Sequence, residues 1–186
     1  MQQPAADHQV RFEISMVLAT MVIFLVALAV NELLFRWLEF VPGINWIFLP
    51  AGVRLLCTLL FGEAGVVGLL LVSWLVSFFW FFPNDPVRAF AGGILAAAAP
   101  WLSYRLVQAW YGLRPSLANL TPRRLLLCAL VYSIASPLLH HIWFALHGDP
   151  VDLLRGFTVM FVGDLLGTLI VLYVAKALLM LASRRR

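Results

Sequence analysis

Charge is scarce in this chain of 186 residues: 12% are Asp, Glu, Lys or Arg, whereas 63% are hydrophobic. That scarcity excludes an ordinary water-soluble domain, in which about a quarter of the residues are charged. Cysteine is nearly absent too. Cys57 and Cys128 both lie in apolar runs and form no Cys-x-x-Cys pattern, so they are read as packing residues rather than a disulfide or a metal centre. No recognisable cleavage site follows the polar start at 1–10, and the apolar run after it is expected to be a retained first helix. No acid, base and nucleophile set is locally specified, so an enzyme is not expected.

Long apolar runs are what the chain has in abundance. With lipid as the solvent, its length accommodates about six helices of roughly 20 residues each, leaving no room here for a soluble catalytic module. The expected fold is all-α, a polytopic membrane helical bundle formed by 1–186 as a single domain with about six transmembrane helices. The runs predict helices at 14–35, 48–61, 66–82, 87–110, 124–146 and 154–181. Pro50 fits the first turn of the second, where its missing N–H costs little. Gly62-Glu63-Ala64-Gly65 reads as a tight connection, and Pro83-Asn84-Asp85-Pro86 as a forced turn. Pro115 and Pro122 bracket a polar loop, and Gly148-Asp149-Pro150 breaks the fifth helix. Gly92-Gly93 permits close helix approach, while Pro100 and Pro137 are expected to kink their helices. No internal repeat is evident.

Basic residues orient the bundle. Arg105, Arg114, Arg123 and Arg124 cluster around the loop between the fourth and fifth helices, and Arg184, Arg185 and Arg186 follow the sixth. The positive-inside rule places these regions in the cytoplasm and, with six crossings, both termini as well. The segments 37–47, 83–86 and 147–152 then face outside, carrying Glu39, Asp85, Asp149 and Asp152, with Trp37 and Trp46 as interfacial anchors. The terminal arginines are expected to set topology or meet anionic lipids, with no nucleic acid partner.

Ionisable groups within membrane helices are expensive, and so mark pairs, cavities or sites. Arg54 and Asp164 are such groups, and both fall in the outer half of the bundle by helical rise. Asn31 and Glu32 approach that level from the first helix, His140 and His141 from the fifth. Together these six are the expected ligand-binding residues of an outward-facing polar pocket, Arg54 attracting a small polar or anionic ligand or compensating Asp164 or Glu32. A structural ion pair closing the bundle is the competing reading. The adjacent His140 and His141 point about 100 degrees apart and do not readily share an ion, so no metal or other cofactor is expected. Ser73, Ser77, Ser133 and Ser136 are read as packing hydroxyls. Glu63 is expected at the cytoplasmic surface. Gly163 and Gly167 flank Asp164 in a Gly-x-x-x-Gly pair that lets a neighbouring backbone approach while the carboxylate enters the seam.

Two local patterns resemble a known family. Phe48-Leu49-Pro50-Ala51-Gly52-Val53-Arg54 with Leu59-Leu60-Phe61-Gly62, and later Gly163-Asp164-Leu165-Leu166-Gly167, are similar to the paired signatures of the MASE1 integral membrane sensory domains. That resemblance implies a bacterial sensory module, with Pro50, Gly52, Gly163, Asp164 and Gly167 as the corresponding positions; the family pattern supplies neither a ligand nor a role for Arg54. The chain differs in having fewer expected helices than such domains, and no output domain is seen after its last helix.

The expected function is therefore a multi-pass sensory or ligand-binding module of the bacterial inner membrane, signalling through a membrane or cytoplasmic protein partner. A small-solute transporter or substrate-capture subunit, and a membrane assembly or scaffold protein, remain the alternatives.

Overall fold

A computed structural model of the chain describes residues 3–113, 117, 119–148 and 152–183, the side chains of 3–7 and 179 excepted. The expectations for Arg114, Pro115, Asp149, Pro150, Arg184, Arg185 and Arg186 lie outside the described residues. The fold is almost wholly helical. In order come α1 (Gln3–Phe35), a 3-10 turn (Arg36–Leu38), strands β1 (Glu39–Val41) and β2 (Ile44–Asn45), α2 (Leu49–Val76), a π-helical turn (Ser77–Phe81), α3 (Pro86–Tyr111), α4 (Pro122–His147) and α5 (Leu153–Ser183). Among the described residues, five helical segments are long and apolar enough to cross a bilayer: His8–Leu38, Leu49–Phe81, Pro86–Tyr111, Pro122–His147 and Leu153–Ser183. Their outward faces carry exposed Leu, Val, Ile and Phe side chains in quantity, as lipid-facing helices do.

The expected connection at 62–65 contracts to one residue. Two helices, 49–61 and 63–76, meet at Gly62, which departs from helical geometry at φ 56 and ψ −129, a conformation essentially reserved for glycine. There α2 folds back on itself. A methyl group on Gly65 would strike the carbonyl of Cys57, eight positions earlier, although a straight helix separates such residues by about 12 Å. Arg54 and Ser73 likewise line one cavity, whereas a straight helix would hold them about 28 Å apart. The arms 49–61 and 63–76 are thus antiparallel neighbours. The expected second and third helices are both present, as the two arms of α2, and they form a helical hairpin about Gly62.

Most boundaries run past their expected limits. The first helix begins at Gln3 rather than 14, because the polar start has no helix breaker after Pro4. Pro86 and Pro122 occupy the first turns of α3 and α4, where Asp85 and Thr121 cap the helices by accepting the amide hydrogens of Arg88 and Arg124 at 3.0 and 3.3 Å. Asp152 accepts the Arg155 amide in the same way at 3.0 Å. The acids Asp85 and Asp152 therefore stabilise helix N-termini, where negative charge is favoured.

The loop after α1 contains an unexpected antiparallel hairpin that pairs Glu39 with Asn45 and Val41 with Ile44. Gly43, at φ 84, makes the turn and donates its amide hydrogen to Glu39 Oε1 at 3.3 Å. Trp37 and Trp46 flank this hairpin with exposed rings. Pro100 and Pro137 are buried inside α3 and α4. Both cysteines are free and buried, as expected of packing residues.

Glycines decide the tightest approaches. A side chain at Gly163 would overlap the carbonyl of Asn45, and one at Gly167 the carbonyl of Phe48. α5 therefore receives the backbone that leads into α2, and the Phe48 amide donates to the Gly163 carbonyl at 3.1 Å. Gly52 packs in turn against Gly167, Thr168 and Val171. Gly93 makes room for the Trp74 ring, which stacks on Phe90 at 5.3 Å and donates from Nε1 to the Phe90 carbonyl at 3.0 Å.

Candidate functional site

Arg54 lies two turns into α2, in a run of buried residues from Leu49 to Leu55. Its guanidinium carbon lies 5.4 Å from the ring centroids of both Phe24 and Phe48, so aromatic surface supplies part of the environment that water would otherwise provide. Asp164, 1% exposed, interacts electrostatically with Arg54 and has Ser136 of α4 beside it. Fully buried Tyr132 faces the same group, next to Arg54 and Ser136. The helices thus bring Arg54 from α2, Tyr132 and Ser136 from α4, and Asp164 from α5 into one buried polar cluster.

The cluster is incompletely paired. Arg54 Nε, Tyr132 Oη, Ser136 Oγ and Asp164 Oδ2 are buried without a well-aligned hydrogen bond, although Arg54 and Ser136 stand within hydrogen-bonding reach of Tyr132, and Ser136 within reach of Asp164. Most buried polar groups find a partner, and a closed structural ion pair would have engaged these atoms. Arg54 and Asp164 share a neighbourhood without saturating each other.

Beside Arg54 is a cavity of about 60 Å³. Its wall includes Ser73, Ser77 and His140, together with Gly43 of the hairpin, Phe82 and Arg88. Arg88 sits over the Phe82 ring at 4.6 Å and the Phe144 ring at 5.3 Å. The π-helical turn forms part of the wall, with the Phe82 amide donating to the Ser77 carbonyl at 2.9 Å in a five-residue reach. Such turns recur at functional sites because they re-aim side chains within a helix. Ser73 Oγ is buried there without a partner.

The six residues expected to bind ligand divide. Arg54 and His140 line the cavity, and Asp164 backs Arg54 from α5. His140 Nδ1 bonds to the Ser136 carbonyl at 2.8 Å. His141, although adjacent, bonds the Pro137 carbonyl at 2.8 Å and packs edge-on between Phe144 and Phe157 at 5.1 and 5.8 Å. Asn31 accepts the Leu49 amide hydrogen at 2.9 Å, giving the first turn of α2 a partner for an otherwise orphaned donor. Glu32 is partly buried, with Arg36 and Glu39 as its charged neighbours, and is not part of the cavity wall. His147 stacks on Trp143 at 4.2 Å and is exposed. Among the described residues no group of three His, Cys, Asp or Glu side chains is placed to hold a metal ion.

Sequence reasoning overlooked Tyr132 and Arg88, and took Ser73 and Ser136 for packing hydroxyls. Ser133 does play that part, donating to the Ala129 carbonyl at 2.8 Å. A buried hydroxyl that declines this local bond is the signal that distinguishes the other two, and it exists only in three dimensions. No family model, curated protein or solved structure matches the chain.

Proposed function

We propose that this protein is a sensory or ligand-binding module of the bacterial inner membrane, with both termini in the cytoplasm and a polar pocket open toward the outside. The observation that carries the reading is a cavity inside the bundle lined by buried Arg54 and Ser73, each of which also has a buried polar atom without a hydrogen-bond partner. A purely structural bundle would do better to fill such a space with apolar side chains, since unpaired buried polar atoms each cost about 1–3 kcal/mol. Six crossings follow if both arms of α2 pass through the bilayer, and the hairpin end then faces outside under the positive-inside rule.

The resemblance to MASE1 sensory domains gains physical content from one contact. Gly52 of the first motif and Gly167 of the second touch directly, so the two stretches act as one structural unit beside Arg54 and Asp164. A ligand entering between the hairpin and Phe82 would favour one arrangement of the π-helical turn and the α2 hairpin. Only differential affinity for two arrangements transmits a signal. The arms of α2 link the outer cavity to Gly62 at the opposite end, where a protein partner would read the change.

The test is association with a partner captured by cross-linking in native membranes, compared for wild type, Arg54→Gln and the charge-neutral pair Arg54→Gln/Asp164→Asn. The expected result is that folded variants lose the solute-dependent part of that association. Solute-independent association that survives every folded variant would identify a scaffold instead. Arg54-dependent uptake of solute into sealed vesicles would identify a transporter.

A further inference from the structure

We infer that a groove between α4 and α5, at the end of the bundle opposite the β-hairpin, binds the headgroup and upper acyl chain of an anionic phospholipid such as phosphatidylglycerol. This site stands apart from the Arg54 cavity and requires only that the helices cross a bilayer. Phe144 of α4 and Met160 of α5 pack with Ile44 at the hairpin end, so Pro122 and Lys176 lie toward the other. There Arg123, from the first turn of α4, and Lys176 of α5 border one groove, whose wall continues through Leu125, Leu126, Leu169 and Leu172.

Charge in this region is of one sign. No Asp or Glu occurs between Asp85 and Asp149 or after Asp164, and the groove wall contains none. Glu13 and Glu63 border a separate groove between α1 and α2. Arg124 is engaged within the protein, donating from Nη1 to the Asn119 carbonyl at 2.9 Å, whereas Arg123 and Lys176 are exposed. Cations brought from two helices to one groove without a carboxylate attract an anion.

Depth identifies what carries that anion. A hydrocarbon core of about 30 Å is crossed in about 20 residues, which from Leu153 brings α5 to Tyr173. The Tyr173 ring is 70% exposed and lines the groove, as aromatic side chains do where hydrocarbon meets headgroups. By helical rise Lys176 stands about 4.5 Å farther out, at the level of the phosphates, and Leu169 about 6 Å deeper than Tyr173, among the first acyl methylenes. A free phosphate gains nothing from the leucines, whereas a phospholipid lays an apolar chain against them. A zwitterionic headgroup adds a positive charge that Arg123 and Lys176 repel, so a net negative one is selected. Basic pockets between membrane helices hold anionic headgroups in this way.

The experiment is native mass spectrometry of the full-length protein in detergent. Phosphatidylglycerol, phosphatidylcholine with the same acyl chains, and glycerophosphoglycerol, the headgroup without chains, are added separately at equal concentration. Phosphatidylglycerol is expected to be retained about tenfold or more over phosphatidylcholine, and glycerophosphoglycerol not at all. Arg123→Gln and Lys176→Gln should each weaken phosphatidylglycerol by about fivefold, while Arg123→Lys and Lys176→Arg should preserve it. Arg11→Gln removes an equal charge from an exposed position on α1 and should change nothing. Because both groove cations are exposed, lipid-free unfolding midpoints should stay at the wild-type value, which separates lost lipid from lost fold.

Equal retention of the two phospholipids, or weakening by Arg11→Gln as large as that by the groove variants, overturns the proposal in favour of general surface charge. Retention of glycerophosphoglycerol as strong as that of phosphatidylglycerol overturns the lipid as the source of the phosphate. A dimer that forms without lipid and is lost in Arg123→Gln/Lys176→Gln overturns it in favour of a second copy of the chain.

Discussion

At Gly163 and Gly167 the missing methyl group is the property that matters. The atoms waiting in that space are the main-chain carbonyls of Asn45 and Phe48, which cannot rotate away as a side-chain tip would. Gly163→Ala or Gly167→Ala is expected to destabilise the protein by about 1–3 kcal/mol, the usual range for overpacking. Thermal unfolding in detergent checks this, with Gly92→Ala as the comparison, because a methyl there meets only Ser77 Oγ at 3.9 Å and should be nearly neutral. Arg54 and Asp164 were legible in the sequence because charge within an apolar run is costly wherever it lands. Tyr132, Ser73 and Ser136 were not. Hydroxyls in membrane helices usually bond to the carbonyl four residues back, as Thr58, Ser103 and Ser133 do, and no local pattern announces the exceptions. Asn31 was noticed for its polarity, but its hydrogen bond with the Leu49 amide, 18 positions away, was not legible in the sequence.

Among the elements, the α2 hairpin and the β-hairpin show how far periodicity reaches. Apolar runs located every long helix, yet the reversal at 62–65 turned out to need one glycine. Its conformation at φ 56 is set by the backbone alone, and nothing lies within 4 Å of an added methyl. Gly62→Ala should therefore cost about 1–3 kcal/mol purely as backbone strain, visible as a lower unfolding midpoint. If the midpoint does not move, the backbone at this position is not the strained conformation described. β1 and β2 escaped prediction because strands of three and two residues contain too little alternation to register. The neighbours His140 and His141 diverge for the reason their spacing implied: successive helical side chains face different directions, one toward the cavity and the other into a wedge of aromatic rings.

For the whole molecule, the packing gathers three connections at one end. The hairpin tip at Gly43 touches Phe82, Arg88 lies over Phe144, and Arg155 lies over Phe40 at 5.0 Å. Single cysteines replacing Pro42 and Asn84, both exposed, should react with a membrane-impermeant maleimide in intact cells. Cysteines replacing Glu63 and Arg123 should react only after permeabilisation. Native Cys57 and Cys128, buried in the bundle, should stay silent in both. Labelling of positions 42 and 84 from opposite sides would sink the fold-back of α2. The clustering of arginines supplies an expected orientation, which this labelling tests; the sharing of one cavity by α2 and α4 depends on helix rotation, which composition does not encode.

The contact between Phe48 and Gly163 joins the second element to the last. Synthesis proceeds at about 5–20 residues per second, so Arg54 emerges roughly 5–20 seconds before Asp164 exists to meet it. During that interval the guanidinium needs another host, such as water or the lateral gate of the insertion machinery. The nascent chain is accordingly most vulnerable to quality-control proteolysis until α5 arrives to seal it.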